Sequence, residues 1–290
     1  MSTLLIILII LLYSLQTLFC KFYTDRYPGR PELASPVFCI LESIAIVLGT
    51  LCFNGFRFSA SWATVLIGVL NAAMLFGYNT SLIKASARGS YAFMNVMMLF
   101  GGILVPMLYS AIFLGETLSW YQLAAIGVML VACVVMNLED IKLKDTPLSY
   151  YLFCLLLFLC NGLYGTLLKL QSVQNDAQKS EMVMITFALM GVIALIQLVA
   201  KERGNTAAAF RLNRKCIVPL ILCLISAALA INVLVFVIPM VNIAVFYTVE
   251  NGGVLLLSGI YSILFFKEKL SLPKAAGMLL ALVSITVLSM

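Results

Sequence analysis

Residues 108–119 (LYSAIFLGETLS) and residues 260–271 (IYSILFFKEKLS) decide the predicted fold, because they repeat one pattern at a fixed offset. Tyr, Ser, Phe, Glu, Leu and Ser coincide in the two copies, and each copy closes a long apolar segment. A weaker match joins residues 15–21 to residues 163–169, where a Lys closes the first apolar segment of each half. The sequence therefore divides into two related halves.

The composition is that of an integral membrane protein. Of the 290 residues, 63% are hydrophobic and only 10% are charged, whereas soluble domains carry about 25% charged residues. The apolar residues come in blocks long enough to cross a bilayer, and the alternating pattern of a barrel is absent from the sequence. Lipid offers no partner for backbone polar groups, so these blocks are predicted to be helices.

Polar, Gly and Pro residues divide the chain into ten predicted spans. The predicted spans are 3–22, 36–54, 62–82, 89–114, 118–138, 149–169, 180–200, 216–238, 242–266 and 272–290. The domains follow as a first repeat over 1–139, a linker over 140–148 and a second repeat over 149–290. Because five is odd, the second repeat enters from the opposite side. We expect ten transmembrane helices as two inverted five-helix repeats around a central cavity.

The first apolar block is interpreted as a retained span, because no Lys or Arg precedes it and no small-residue cleavage pattern follows it. Basic residues give the orientation. The even-numbered connections carry only Arg57 and Lys179, and Lys169 sits at a span end. The odd-numbered connections carry the other fifteen: Lys21, Arg26, Arg30, Lys84, Arg88, Lys142, Lys144, Lys201, Arg203, Arg211, Arg214, Lys215, Lys267, Lys269 and Lys274. The positive-inside rule predicts cytoplasmic odd connections and both termini outside.

Several function classes are disfavoured by what the sequence lacks. There is no His, and none of the eight Cys residues forms a C-x-x-C pair, so neither a metal site nor a disulfide set is predicted. No phosphate-binding glycine loop is present, which argues against direct driving by ATP. The net charge of +6 is scattered over short connections, which favours membrane orientation over nucleic-acid binding. We predict no cofactor and no catalytic residues.

Two carboxylates fall inside predicted spans, and they are the leading candidates for a site. A charge at the centre of a membrane helix costs about 2.5–3.5 kcal/mol, so Glu42 and Glu250 should face a polar interior. Glu42 lies nearer to a span end, where a local partner would explain it equally well. Glu250 is deeper and precedes Asn251 and two glycines, which permit close approach of a backbone or ligand. Cation recognition and proton uptake are the two roles considered for Glu250.

Other polar side chains within spans are weaker candidates. Asn95 and Tyr247 occupy matching positions in the two halves, and Tyr91 and Tyr78 are the next choices. Each residue of the wider polar set is equally explained by a hydrogen bond between helices. That wider set also contains Gln16, Asn71, Asn79, Asn161, Tyr164, Asn232 and Asn242. Glu116 and Glu268 are predicted to cap the helix that follows each turn, and Lys169 to extend towards the interface.

Residues 85–137 resemble one half of the EamA-type drug/metabolite transporters. The resemblance rests on residues 85–92 (ASARGSYA), on residues 113–118 (FLGETL) and on the apolar spans around them. The second copy, residues 242–290, matches less well, through residues 266–271 (FKEKLS). This resemblance implies ten spans and secondary transport of small metabolites, amino acids or drugs, without implying a particular substrate.

The sequence thus predicts a secondary transporter, and specifically an exporter, of a small organic metabolite, amino acid or drug. Alternating access with proton or cation coupling is expected, in a multi-pass protein of the bacterial inner-membrane type. Its expected partners are the lipid bilayer, the solute and, as a further hypothesis, a second copy in a homodimer. The alternative is a membrane-embedded enzyme or flippase acting on a lipid-linked substrate, which the absence of His and of clustered carboxylates disfavours.

Overall fold

The computed structural model describes residues 2–86, 88, 91–138, 147–202, 206–266 and 270–288. Within a few helices the side chains of residues 2, 31, 83, 86, 91, 92, 262 and 266 lie outside this description, as do residues 140–146 of the predicted linker. Helices make up nearly all of the described chain, and no strand occurs in these ranges. The protein is an all-α chain, as its composition predicts.

Eleven helices follow one another along the described residues. They are α1 (Ser2–Arg26), α2 (Pro31–Phe53), α3 (Trp62–Ser86), α4 (Tyr91–Tyr109), α5 (Trp120–Asn137), α6 (Leu148–Asn175), α7 (Lys179–Glu202), the short α8 (Thr206–Ala209), α9 (Arg214–Val237), α10 (Ile243–Phe266) and α11 (Leu272–Leu288). A π-helical turn, Ser110–Leu114, continues α4, and 3-10 turns at Asp176–Gln178 and Ile238–Met240 follow α6 and α9. Within the described residues, each predicted apolar segment contains one helix with ends that differ by several residues, and the number of membrane crossings stays a prediction.

Side chains near the helix ends explain where several helices begin. At α5, the Ser119 N–H donates to Gln122 Oε1 at 3.0 Å, so the Gln122 side chain caps the start of the helix. At α10, Asn242 Oδ1 accepts from the N–H groups of Ala244 and Val245 at 3.0 and 3.2 Å. Gly115, with φ at +61°, ends the π-helical turn in the left-handed conformation that glycine adopts without strain.

Many of these helices are long and apolar enough to cross a membrane, so the chain has the character of a multi-pass membrane protein. Eight such stretches occur in the described residues: Thr3–Arg26, Glu32–Phe53, Trp62–Leu82, Phe93–Leu114, Trp120–Asn137, Leu148–Glu202, Arg214–Met240 and Ile243–Phe265. The stretch Leu148–Glu202 contains both α6 and α7. Helix α11, with 17 residues, is apolar but shorter than the others.

The chain forms two compact units, and each takes helices from both sequence halves. Unit 1 comprises residues 1–72 and 171–239, with α1, α2, α7, α8 and α9. Unit 2 comprises residues 73–170 and 240–290, with α4, α5, α10, α11 and most of α6. Helix α3 begins in unit 1 and ends in unit 2.

In unit 1, α2 packs along α7 in antiparallel fashion. Arg30, just before α2, forms an ion pair with Glu202 at the end of α7. At the opposite end of the pair, Asn54 Nδ2 donates to Glu181 Oε1 at 3.0 Å. Helices α1 and α9 form a second close pair.

The α1–α9 pair of unit 1 is also antiparallel. Cys216 Sγ, near the start of α9, donates to the carbonyl oxygen of Tyr23 near the end of α1 at 3.9 Å. Cys223 Sγ, two turns later, donates to the Gln16 carbonyl oxygen at 3.2 Å. The Tyr27 hydroxyl, in the connection after α1, donates to the Ala209 carbonyl oxygen at 2.8 Å. Burial, with nearby Cys216 and Glu202, raises the pKa of Tyr27.

In unit 2, α5 packs antiparallel to α11. Ser284 Oγ, late in α11, donates to the Ala125 carbonyl oxygen early in α5 at 2.6 Å. Near the opposite ends, Gly277 lies against Met136, where a methyl group in place of the glycine hydrogen would overlap the Met136 side chain. A core of buried apolar side chains, including Ile126 and Met129, fills this pair.

Helices α4, α6 and α10 of unit 2 meet around glycines. A side chain at Gly101 would overlap the carbonyl oxygen of Phe158, and one at Gly162 would overlap Val105 and the Gly101 carbonyl oxygen. The backbones of α4 and α6 therefore approach closely, which only residues without a side chain allow. This crossing brings the middle of α4 next to the polar residues of α6 and α10.

Candidate solute-binding site

Glu250 is the starting point of the site, because none of the described residues bonds to its carboxylate. It is half-buried on α10, and it makes no hydrogen bond or ion pair with any residue that the structure describes. Tyr247, one turn earlier on the same face, is buried and lies close enough to interact electrostatically with Glu250. An uncompensated carboxylate in a membrane helix is expensive, so it indicates a functional group.

Tyr247 fixes α10 against α6 beside this carboxylate. Its hydroxyl donates to the Gly165 carbonyl oxygen at 3.1 Å. Gly165 makes the contact possible, because a Cβ atom at that position would lie 2.6 Å from Tyr247 Cζ. Tyr164 precedes Gly165 and also lies near Tyr247. The interaction holds the Glu250 turn of α10 in one position relative to α6.

Two carboxamides lie together on either side of a glycine of α4, and one of them, Asn251, follows Glu250 in the sequence. A Cβ atom at Gly102 would be 2.9 Å from Asn161 Nδ2 and 3.2 Å from both Nδ2 and Oδ1 of Asn251. Asn161 belongs to α6 and Asn251 to α10, so three helices of unit 2 contribute to one polar cluster. A larger residue at Gly102 would separate the two carboxamides or fill the space between them.

The two carboxamides are oriented by their own hydrogen bonds. Asn161 Nδ2 donates to the Met98 carbonyl oxygen at 2.8 Å, and Asn251 Nδ2 donates to the Tyr247 carbonyl oxygen at 2.8 Å. Neither carboxamide oxygen accepts a hydrogen bond from the described part of the chain. Each carboxamide therefore uses one Nδ2 donor on the backbone and keeps its Oδ1 atom as a free acceptor among the described residues.

The remaining predicted residues of unit 2 lie on α3 and α4. The Tyr78 hydroxyl donates to Met98 Sδ at 3.1 Å, which places Tyr78 beside the residue that Asn161 binds. Asn95 is half-buried on α4, three residues before Met98. The side chain of Tyr91 lies outside the described residues, so its predicted role stays a prediction.

Glu42, the second predicted carboxylate, belongs to unit 1. It is half-buried on α2, and its Oε1 accepts a hydrogen bond from Gln16 Nε2 at 2.9 Å. This is the local partner that the sequence left open as an explanation for Glu42. The structure therefore groups Glu250, Tyr247, Asn251 and Tyr78 in unit 2 and gives Glu42 a separate hydrogen-bonded environment.

Glu116 and Lys169 differ from their predicted roles. Glu116 Oε2 accepts from the Ile243 N–H at 3.2 Å, so Glu116 caps α10 instead of α5. Lys169 Nζ donates to the Val241 carbonyl oxygen at 2.8 Å and lies 3.6 Å from Glu116 Oε1. Its side chain is only 7% exposed, so Lys169 is buried in an ionic cluster and does not extend to an interface. The cluster fixes the start of the helix that carries Glu250.

Three residues of the site were not predicted as site residues from the sequence: Asn161, Gly102 and Gly165. Asn161 belonged to the wider set of polar span residues, but the single sequence offered no reason to prefer it. The two glycines carry no chemistry, and their importance arises from α6 and α10 packing against α4. Gly102 had one usable signal, since it adjoins a second glycine in an otherwise bulky span.

The described residues contain no group of three or more His, Cys, Asp or Glu side chains that could hold a metal ion. Every Cys is a free thiol, and most of them are buried.

No family model matches the sequence, and no curated protein matches it either. Solved structures do share its fold. One of them, described only as "Crystal structure of protein", has a TM-score of 0.75 and covers 100% of this chain and 98% of its own length. The two sequences are 15% identical, so the likeness concerns the fold alone.

Proposed function

We propose that this chain is a secondary transporter that moves a small organic solute by alternating access. One observation carries the proposal: three pairs of helices that hold equivalent places in the two sequence halves pack against each other. They are α2 with α7, α4 with α10 and α5 with α11, and the first and last of these pairs are antiparallel. Such pairs are what two inverted repeats would produce, and inverted repeats are common in secondary transporters.

The proposal requires ten membrane crossings. A single helix of the length of Leu148–Glu202, 55 residues, would be about 80 Å long, whereas a bilayer core is about 30 Å thick. The 3-10 turn Asp176–Gln178 separates α6 from α7, which supports two crossings in this stretch. Helix α11 has 17 residues, about the minimum that spans the core.

In this proposal the polar cluster of unit 2 binds the solute, and Glu250 exchanges a proton or another cation during the cycle. Glu42, which has Gln16 as its partner, contributes less. The bias of the basic residues supports an orientation with the odd-numbered connections in the cytoplasm and both termini outside. Export across an inner membrane, and kinship with the EamA-type transporters, are parts of the same proposal and rest on the sequence.

Transport by proteoliposomes tests the proposal. The purified protein is reconstituted with a pH-sensitive dye in the lumen, and amino acids, amines and sugars are added one at a time under a fixed proton gradient. We expect at least one solute to change the proton flux, and Glu250→Gln to remove that change. Glu32→Gln, which alters an exposed carboxylate of α2, should retain it. Solute flux without any dependence on Glu250 would contradict the coupling role.

A further inference from the structure

We infer that the polar cluster of unit 2 selects a protonated primary amine. In this assignment the Glu250 carboxylate balances the charge, and the carboxamide oxygens of Asn161 and Asn251 accept hydrogen bonds from the ammonium group. The inference rests on the proposed function, because it names the class of solute that the same site would carry. Charge, hydrogen-bonding capacity and the surrounding side chains support it independently.

Charge excludes an anionic ligand and favours a cationic one. Among the described residues of unit 2, the buried Lys169 already lies beside Glu116, and Lys84 and Arg88 stack on the ring of Phe153 at the end of α3. No cation of the described residues pairs with the Glu250 carboxylate. An anion would therefore add a like charge, whereas a cation would supply the missing partner.

The hydrogen-bonding capacity of the cluster distinguishes between kinds of cation. Asn161 and Asn251 each donate one Nδ2 hydrogen bond, to the carbonyl oxygens of Met98 and Tyr247, and each offers an Oδ1 atom as an acceptor. With Glu250, the cluster offers oxygen acceptors from three side chains. A primary ammonium has three N–H donors, as Lys does. A quaternary ammonium has none and would leave these acceptors unpaired, which is costly in a shielded site.

The neighbouring side chains suit an apolar body on the amine. Met98 and Tyr78 lie together on one side of the cluster, joined by the contact between the Tyr78 hydroxyl and Met98 Sδ. Tyr247 contributes an aromatic ring beside Glu250. Methionine adapts to ligands of different shape, and aromatic rings attract cations. An arylalkyl or alkyl amine fits this combination better than a sugar or a polyanion.

Four probes that share a phenylethyl group distinguish the effect of the ligand's charge from the effect of its N–H donors. They are 2-phenylethylamine, its N,N,N-trimethyl analogue, 2-phenylethanol and 3-phenylpropionate, each titrated at neutral pH against the purified protein by calorimetry. We expect the primary amine to bind at least about tenfold more tightly than the other three, which corresponds to about 1.4 kcal/mol. Glu250→Gln should weaken its binding about tenfold or more, and Glu32→Gln should leave it unchanged.

Several results would overturn the inference. They are equal affinity for the amine and the alcohol, tighter binding of the quaternary analogue, amine binding that Glu250→Gln does not affect, and no amine binding at the highest concentration that leaves the protein folded. The proteoliposome assay distinguishes this failure from failure of the proposed function. Flux of a neutral or anionic solute without amine binding would support the transporter proposal and contradict the amine specificity. Amine binding without flux of any solute would support the amine specificity and contradict the transporter proposal.

Discussion

Glu42 and Glu250 are both carboxylates inside apolar helices, but their surroundings differ. Glu42 on α2 accepts a hydrogen bond from Gln16 at 2.9 Å. Glu250 on α10 has neither a hydrogen bond nor an ion pair from the described residues. Both cost free energy to place in a membrane helix. Among the described residues, only Glu42 finds a partner that recovers part of that cost.

The difference separates polar groups that hold the fold from groups that serve a ligand. Lys169 and Glu116 belong to the first kind, because each contacts the other and the backbone at the start of α10. Glu250 belongs to the second kind, because what would stabilise its charge must come from outside the described chain. Removing a partnered charge should therefore lower stability, and removing Glu250 should not.

The largest expected effect comes from breaking the partnered charges of unit 2. Glu116→Ala removes the carboxylate beside the buried Lys169 and one cap of α10. Breaking a fully buried ion pair on one side costs about 3–5 kcal/mol, and we take the lower end, about 3 kcal/mol, because the Glu116 side chain is 21% exposed. We expect the free energy of unfolding to fall by about that amount, measured by denaturant titration in detergent.

A double-mutant cycle identifies the cause of this loss. Glu116→Leu combined with Lys169→Met replaces both charges by apolar groups, and it should recover much of the stability. Glu32→Ala, at an exposed position, measures the effect of removing an unburied carboxylate. If Glu116→Ala is no more destabilising than Glu32→Ala, then the pair with Lys169 does not stabilise unit 2.

Much of the fold was predictable from the sequence, because hydropathy reports directly on burial in lipid. The apolar blocks correspond to the observed helices, and residues 108–119 do form a helix end and a turn between α4 and α5. The composition of the two units was not predictable. Unit 1 joins α2 to α7 and α1 to α9, and these contacts depend on side-chain complementarity that periodicity does not encode.

The candidate site was only half predictable for a similar reason. Glu250 stands out because a carboxylate in a membrane span is rare, and Asn251 adjoins it. Asn161 looks like any other amide in a span until α6 packs against α4. Glu116 was predicted to cap the nearest helix in sequence, α5. Its carboxylate instead accepts a hydrogen bond from the Ile243 N–H at the start of α10, 127 residues away. Partners so far apart in the sequence can be identified only from the folded structure.

The second prediction is that a substitution in an apolar helix stabilises the protein, whereas most substitutions lower the free energy of unfolding. Glu250→Gln removes a charge that has no partner, so we expect the free energy of unfolding to rise by about 1–3 kcal/mol without ligand. Glu42→Gln is the matched change in unit 1, and it should have a smaller effect because Gln retains an oxygen that Gln16 can bind. Equal stabilisation by both changes would remove the distinction between the two carboxylates.

The smallest expected effect comes from a single methyl group placed between the carboxamides. Gly102→Ala would put its Cβ atom 2.9 Å from Asn161 Nδ2 and 3.2 Å from Asn251 Oδ1, so these side chains must shift by a few tenths of an ångström. Alanine also favours a helix over glycine by about 1 kcal/mol. We expect these effects to offset each other within about 1 kcal/mol of unfolding free energy, while binding of 2-phenylethylamine weakens severalfold.

Gly127→Ala on α5 is the control for this change, because no atom lies within 4 Å of a Cβ at that position. It should raise the free energy of unfolding, because alanine favours a helix over glycine, and it should leave amine binding unchanged. Binding that falls for Gly102→Ala alone would indicate that the spacing of Asn161 and Asn251 matters to the ligand. Binding that is the same in both variants would show that the carboxamides do not contact it, and the preference for amines would then depend on Glu250 alone.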